Sequence, residues 1–282
     1  MDIRQQAKKA DRLRELHHAK NILILANAWD VASARILEDL GFPAIATSSA
    51  AVAFALGYPD GQRIGRDEML AMVSRIANAV RVPVTADMES GYGTTLEHMA
   101  DTAKTIVAAG AVGLNLEDVT GSDETSHVDT SLQMEKIRTI HKVSASLGVP
   151  LVINARTDVY LLPIGPAETR FARTVDRLRA YREAGADCLF VPGVKDAETI
   201  AKLVKAIDAP LNVLLTAGSP SLKELEKLGV ARASTGSGTM RAAMGTVRRV
   251  GKELLATGTY TSLLDGTIPF DELNAMFDRR EP

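Results

Sequence analysis

The feature that most constrains this chain is an alternation. Eight short apolar or β-branched runs, over residues 22–27, 44–49, 83–89, 112–118, 151–158, 188–193, 211–216 and 232–236, recur between longer stretches of different period. Six of those stretches, 31–40, 66–80, 95–109, 132–147, 168–184 and 198–207, have the three-and-four spacing of amphipathic helices. Several end at Leu-Gly or Ala-Gly pairs (Leu40-Gly41, Ala109-Gly110, Leu147-Gly148, Ala184-Gly185, Leu228-Gly229), the residue type that closes a helix in the left-handed region. Parallel strands need a crossover each time, and eight β/α units in about 250 residues match a (β/α)₈ barrel. A doubly wound open sheet is the main alternative. It loses its chief support because the first strand runs into Ala26-Asn27-Ala28-Trp29-Asp30 with no G-x-G-x-x-G. The segment to Ala19 predicts an extra N-terminal helix and residues 270–279 a C-terminal one.

No low-complexity tract or like-charge block divides residues 1–282, so one domain is expected. Thirty-three basic residues against 35 acidic ones leave a formal charge of -2, with no basic field for nucleic acid or anionic lipid. The N-terminus lacks an apolar signal region and no run of about 18 apolar residues occurs, so neither secretion nor membrane spanning is expected. Cys188 is the single cysteine; it excludes an internal disulfide, fits a cytoplasmic home and reads as a small core residue.

Side chains two apart share a strand face. Thr85, Asp87 and Glu89 therefore lie together, opposite Val84, Ala86 and Met88. The same phasing aligns Gly113, Asn115 and Glu117, with Asp118 pointing elsewhere, and aligns Asn154, Arg156 and Asp158. The first strand ends at Asn27 and the seventh begins near Asn212. Barrel active sites occupy the C-terminal strand ends, where Asp87, Glu89, Glu117 and Arg156 fall. Carboxylates gathered there repel one another unless a cation or shared protons relieve the charge. Mg²⁺ is the natural cation, with Mn²⁺ as a substitute, because both favour oxygen ligands. Arg156 adds a planar fork suited to an anionic ligand group.

These residues carry a resemblance to the isocitrate lyase and phosphoenolpyruvate mutase superfamily, over most of the chain. Its bearers are Asn27-Ala-Trp-Asp30, Thr47-Ser-Ser49, Gly57-Tyr-Pro-Asp60, Asp87-Met-Glu-Ser-Gly-Tyr-Gly93, Asn115-Leu-Glu-Asp118, Asn154-Ala-Arg-Thr-Asp158, Val191-Pro-Gly193 and Pro210-Leu-Asn212. The resemblance implies a modified barrel that binds Mg²⁺ and a small 2-oxo acid, and makes or breaks a bond beside its carbonyl through a metal-stabilised enolate. It implies Glu89 as direct metal ligand, and Asp60, Asp87 and Glu117 as acids holding the metal through water. It implies Trp29, Ser48, Ser49, Arg156 and Asn212 as substrate-binding residues, Arg156 being the anion clamp. It also implies a homo-oligomer, a dimer or tetramer, whose C-terminal helix, here 270–277, is exchanged between barrels.

Lyases of that family carry a K-[KR]-C-G-H lid after the fourth strand. Here the stretch Thr120-Gly-Ser-Asp-Glu-Thr-Ser-His127 has neither cysteine nor lysine. This turns the expectation from (methyl)isocitrate cleavage or phosphonate chemistry toward lysis or decarboxylation of an oxaloacetate-like acid, which demands less of a lid acid. Glu117, Arg156 and His127 are the catalytic candidates, His127 as the one lid group titrating near neutrality; a solvated loop histidine is the competing reading. A barrel that binds 2-oxo acids without turnover is the non-enzymatic alternative. Asp30 reads equally as a site residue or the N-cap of 31–40, and Gly236-Ser-Gly238 as a phosphate loop or a tight turn.

Overall fold

The computed structural model describes residues 2–120, 123–162 and 164–278. Every expected strand forms. In chain order they are β1 (Leu23–Leu25), β2 (Asn27–Ala28), β3 (Ile45–Thr47), β4 (Val84–Asp87) and β5 (Gly113–Glu117), then β6 (Val119–Thr120), β7 (Asp123–His127), β8 (Val152–Arg156), β9 (Cys188–Val191), β10 (Leu211–Leu214) and β11 (Arg232–Ser234). All but β6 and β7 form one parallel sheet in the order β1-β11-β10-β9-β8-β5-β4-β3-β2. The first strand divides at Ala26: β1 pairs with β11, whereas β2 pairs with β3. Asn27 secures that seam, its Oδ1 accepting from Thr235 N at 3.0 Å and Gly236 N at 2.8 Å while its Nδ2 donates to the Thr47 carbonyl at 2.7 Å. The sheet is thus a nearly closed barrel with eight strand positions, and the modified (β/α)₈ expectation holds. The antiparallel hairpin β6–β7 was not expected, because its polar segment has no period-two apolar pattern.

The helices are α1 (Ile3–His17), α2 (Val31–Asp39), α3 (Ser49–Ala55), α4 (Arg66–Ala79), α5 (Leu96–Ala108), α6 (Thr130–Ser146), α7 (Arg170–Glu183), α8 (Ala197–Ile207), α9 (Leu222–Lys227), α10 (Gly238–Thr257), α11 (Thr261–Leu264) and α12 (Phe270–Asp278). Asp30 is the N-cap of α2, its carboxylate accepting from Ser33 N at 2.7 Å, so the capping reading is the right one. The five expected glycines after helices all have φ between +79° and +105°.

Helix α1 closes the N-terminal end of the barrel. Ala10 and Leu13 are fully buried, and Gln6 Nε2 donates to the Val107 and Ala111 carbonyls at 2.8 and 3.0 Å. Arg14 fastens it further, pairing with Asp187 at 2.7 Å. In the single chain α12 packs on α2 with Met276 buried; Arg279 lies outside the described residues. Among the described residues no helix is long and apolar enough to cross a membrane.

Candidate active site

The strand registers place the acidic residues at one end of the barrel. Asp87 is the last residue of β4, Glu117 of β5 and Arg156 of β8. Asp87 is in register with Asn115, Asn115 with Asn154, and Asn154 with Cys188. Along that row the side chains form a buried ladder: Asn154 Nδ2 donates to Asn115 Oδ1 at 2.6 Å, and Asn115 Nδ2 to Asp87 Oδ1 at 3.2 Å. Ser49, the first residue of α3, completes it, since its backbone N–H and its hydroxyl both donate to Asp87 Oδ2 at 2.9 Å. Asp87 is therefore fixed on both oxygens.

Glu89 reaches the same region by a different route from the one expected. Strand β4 stops at Asp87, and Glu89 takes a left-handed conformation, φ +49°, a strained position for a non-glycine residue. Its carboxyl is buried and accepts from Tyr92 Oη at 3.1 Å. Burial, then the negative charge of Asp87, pushes the Glu89 carboxyl up to about 7, against the opposing Tyr92 hydrogen bond. Asp60 lies on an exposed loop and adds to the same repulsion.

A second row runs Glu117, Arg156, Phe190, Asn212 and Arg232 across successive strands. At its upper end Arg156 Nη1 meets Glu117 Oε2 at 2.6 Å, while Arg156 Nε and Nη2 grip both Asp158 oxygens at 2.6 and 3.0 Å. The guanidinium also lies 5.8 Å above the Phe190 ring. Burial would discharge Arg156, but Asp158 and Glu117 outweigh it and hold the proton. Burial pushes the Glu117 carboxyl well above its usual range; Arg156 opposes, and Asp158, Asp87 and Glu89 add to the rise.

The donor set fits a hard divalent cation. It is all oxygen, and at Glu89 and Glu117 the repulsion of neighbouring carboxylates adds to the rise that burial causes, which a bound cation would relieve. Among the described residues no group of three acidic, histidine or cysteine side chains converges into a preformed ligand cage.

Other expected residues sit less simply. The Ser48 hydroxyl caps α3, accepting from Ala51 N at 3.3 Å, which leaves its hydrogen able to donate to a ligand, while both Ser49 donors are turned to Asp87. Trp29 is half-buried and packs on the main core. Asn212 is fully buried one residue into β10, accepts from Ser234 Oγ at 3.2 Å, and leaves its Nδ2 without a partner among the described residues. His127 is not a solvated loop residue: it pairs with Val119 in the hairpin, and its Nε2 is buried without a hydrogen bond among the described residues. Burial lowers its pKa, Asp118 opposing. Gly121 and Ser122 of the same stretch lie outside the described residues. Cys188 is a core thiol, pushed up to about 12 by burial.

Sequence reasoning missed Tyr92, although it stands three residues after Glu89 in the quoted motif, and the link between Asp87 and the two asparagines, which register alone could have shown.

Comparison with known proteins bears on what such a mouth does. Residues 13–255 match the family model described as phosphoenolpyruvate phosphomutase. The chain is 33% identical over 221 residues to oxaloacetate decarboxylase 2 of Pseudomonas fluorescens, covering 77% of this chain and 73% of that protein. It superposes on a Burkholderia cenocepacia J2315 crystal structure, described in general terms as a lyase/mutase, with TM-score 0.91 and 37% identity over 98% of this chain and 99% of that one. Oxaloacetate acetylhydrolase in complex with its product oxalate is similar at TM-score 0.84 and 25% identity, covering 96% of this chain and 94% of that one.

Proposed function

Because the chain belongs to the isocitrate lyase and phosphoenolpyruvate mutase superfamily, we propose that it is a Mg²⁺-dependent lyase or decarboxylase acting on a small, oxaloacetate-like 2-oxo acid. The observation that carries this reading is the mouth itself, in which Asp87, Glu89 and Glu117 face a single guanidinium held at both edges. Two similar proteins, a decarboxylase and an acetylhydrolase, are named for oxaloacetate.

Arg156 has five N–H groups, of which Asp158 takes two and Glu117 one. Two remain, one on each Nη, and they bind the substrate carboxylate without breaking either pair. Glu89 would be the direct metal ligand, its Oε1 steadied by Tyr92, and Asp87, Glu117 and Asp60 would hold the ion through water. When bound, Mg²⁺ polarises the 2-oxo group and offsets the charge that develops as the neighbouring bond breaks. The Ser48 hydroxyl donates to the developing enolate oxygen. With no cysteine in the 120–127 stretch and His127 Nε2 buried beside Asp118, water protonates the enolate carbon. Decarboxylation tolerates that more readily than retro-aldol cleavage, where a positioned base must take the hydroxyl proton.

The C-terminal arm supports a homo-oligomer, and the single cysteine supports a cytoplasmic setting. Val247 on α10 is 63% exposed, Leu255 92% and Phe270 on α12 81%. An exchanged arm would cover these side chains.

The test is purified protein with Mg²⁺ and a panel of oxaloacetate, 2-methylisocitrate and phosphonopyruvate, followed by NMR. Pyruvate from oxaloacetate above the rate of the metal alone, lost in Glu89→Gln, is the expected result. Binding with no turnover of any acid would make the barrel a silent binder.

A further inference from the structure

Glu117 and Asp118 are chain neighbours on opposite sides of the barrel wall, yet their side chains belong to one circuit. Glu117 pairs with Arg156 at 2.6 Å, and Arg156 is gripped by both oxygens of Asp158. The backbone N–H of Asp158 donates to Asp118 Oδ1 at 3.0 Å, which closes the loop behind the strands.

Asp118 is fully buried and heavily engaged. Its Oδ2 accepts from Thr157 Oγ1 and Tyr181 Oη, both at 2.7 Å, and lies 3.5 Å from Arg177 Nη1. Arg177 in turn donates to the Val128 carbonyl from Nη1 at 3.0 Å and Nη2 at 2.6 Å, while Val128 N donates to the Asp118 carbonyl at 2.7 Å. One carboxylate thus joins the end of β5, the turn after β8, the middle of α7 and the base of the hairpin. A buried carboxylate persists only when several donors offset its desolvation, and four groups converge here.

We propose that Asp118 is a positioning residue for the Arg156 clamp. By holding the Thr157–Asp158 turn it aims Asp158, and Asp158 keeps the guanidinium edge-on to the mouth with two N–H groups turned to the ligand. Asp118 never touches substrate; it acts through Asp158. The structural claim stands on the contacts alone, and its consequence for ligand affinity rests on the function proposed above.

The test uses the full-length protein and two readouts. The first is hydrogen exchange of the Arg156 Nε–H, followed by NMR without ligand. The second is oxalate binding with Mg²⁺ by calorimetry. Asp118→Asn keeps the shape but lets one of its two atoms donate instead of accept; it is expected to speed Nε–H exchange and to weaken oxalate roughly tenfold. Tyr181→Phe, which spares the charge, moves both readouts in the same direction by less, and carries the test should Asp118→Asn not fold. Arg182→Ala, next to Tyr181 on α7, removes an exposed pair with Asp208 at the end of α8 and leaves both at wild-type values. Unchanged exchange and affinity in a folded Asp118→Asn or Tyr181→Phe protein would overturn the inference, whatever the loss in melting temperature. If wild type fails to bind oxalate, the functional reading falls, and the exchange measurement still decides the role of Asp118.

Discussion

Glu117 and Arg156 are register partners on adjacent parallel strands, and their side chains meet at 2.6 Å where both strands end. The pair is anchored from outside the mouth by Asp158, so the guanidinium is held at three nitrogens. A lysine would keep the charge and lose the fork. Arg156→Lys should weaken Mg²⁺-dependent oxalate binding about 100-fold, about 2.7 kcal/mol, measured by calorimetry. Wild-type affinity in that variant would mean that Arg156 closes the barrel and does not hold the ligand.

Proton and metal compete at Glu89. Its carboxyl is raised to about 7 by burial and by Asp87, so the metal-free folded chain binds a proton that the unfolded chain releases near 4.5. Stability from this group is therefore present at low pH and is lost as pH rises through about 7. With chelator present, the melting temperature should fall across that window in wild type and stay flatter in Glu89→Gln. Mg²⁺ affinity should rise with pH up to about 7 and then level off.

Arg232 is 1% exposed, and its Nε, Nη1 and Nη2 have no hydrogen-bond partner among the described residues. Burial lowers its pKa, with Cys188 and Asp87 opposing. An unpaired buried cation is a cost that a matched apolar side chain avoids. Arg232→Met should stabilise the protein by about 1–4 kcal/mol, read from denaturant unfolding. A net loss of stability would show that the charge is compensated within the barrel.

Two glycines separate packing from conformational freedom. A Cβ on Gly113 would stand 2.8 Å from the Val152 carbonyl oxygen and 3.0 Å from Thr85 Oγ1, and backbone cannot give way cheaply. Gly113→Ala should cost about 1–3 kcal/mol or more. On α10, Gly245 meets nothing within 4 Å, and Gly245→Ala should add about 0.5–1 kcal/mol. Equal effects at the two positions would contradict the tight seating of β5 against β8.

Much of this was legible in the residues because barrel strands are short, buried and apolar while their crossovers carry helical period. The strand-end placement of the candidate site was legible too: Asp87, Glu117 and Arg156 fall at the last residues of their strands. What escaped depended on tertiary structure. The split at Ala26 follows from closing a sheet between β11 and β3, which no local pattern records. Helix α3, short and built mostly from small apolar residues, was not among the expected helices. Glu89 was placed on a strand face by period two, but it turns left-handed after β4 ends. Asp118 was correctly set apart from Glu117, yet its partners Tyr181 and Arg177 stand some 60 residues away, beyond the reach of periodicity.

Oxalate, a planar dianion shaped like the enolate of a 2-oxo acid, tests the central claim most directly. Calorimetric titration of wild type should show one saturable site per chain with Mg²⁺, none after chelation, and at least about 100-fold weaker binding in Glu89→Gln. Oxalate binding that ignores Mg²⁺, or that survives intact in Glu89→Gln, would contradict a metal-dependent site at the acidic mouth.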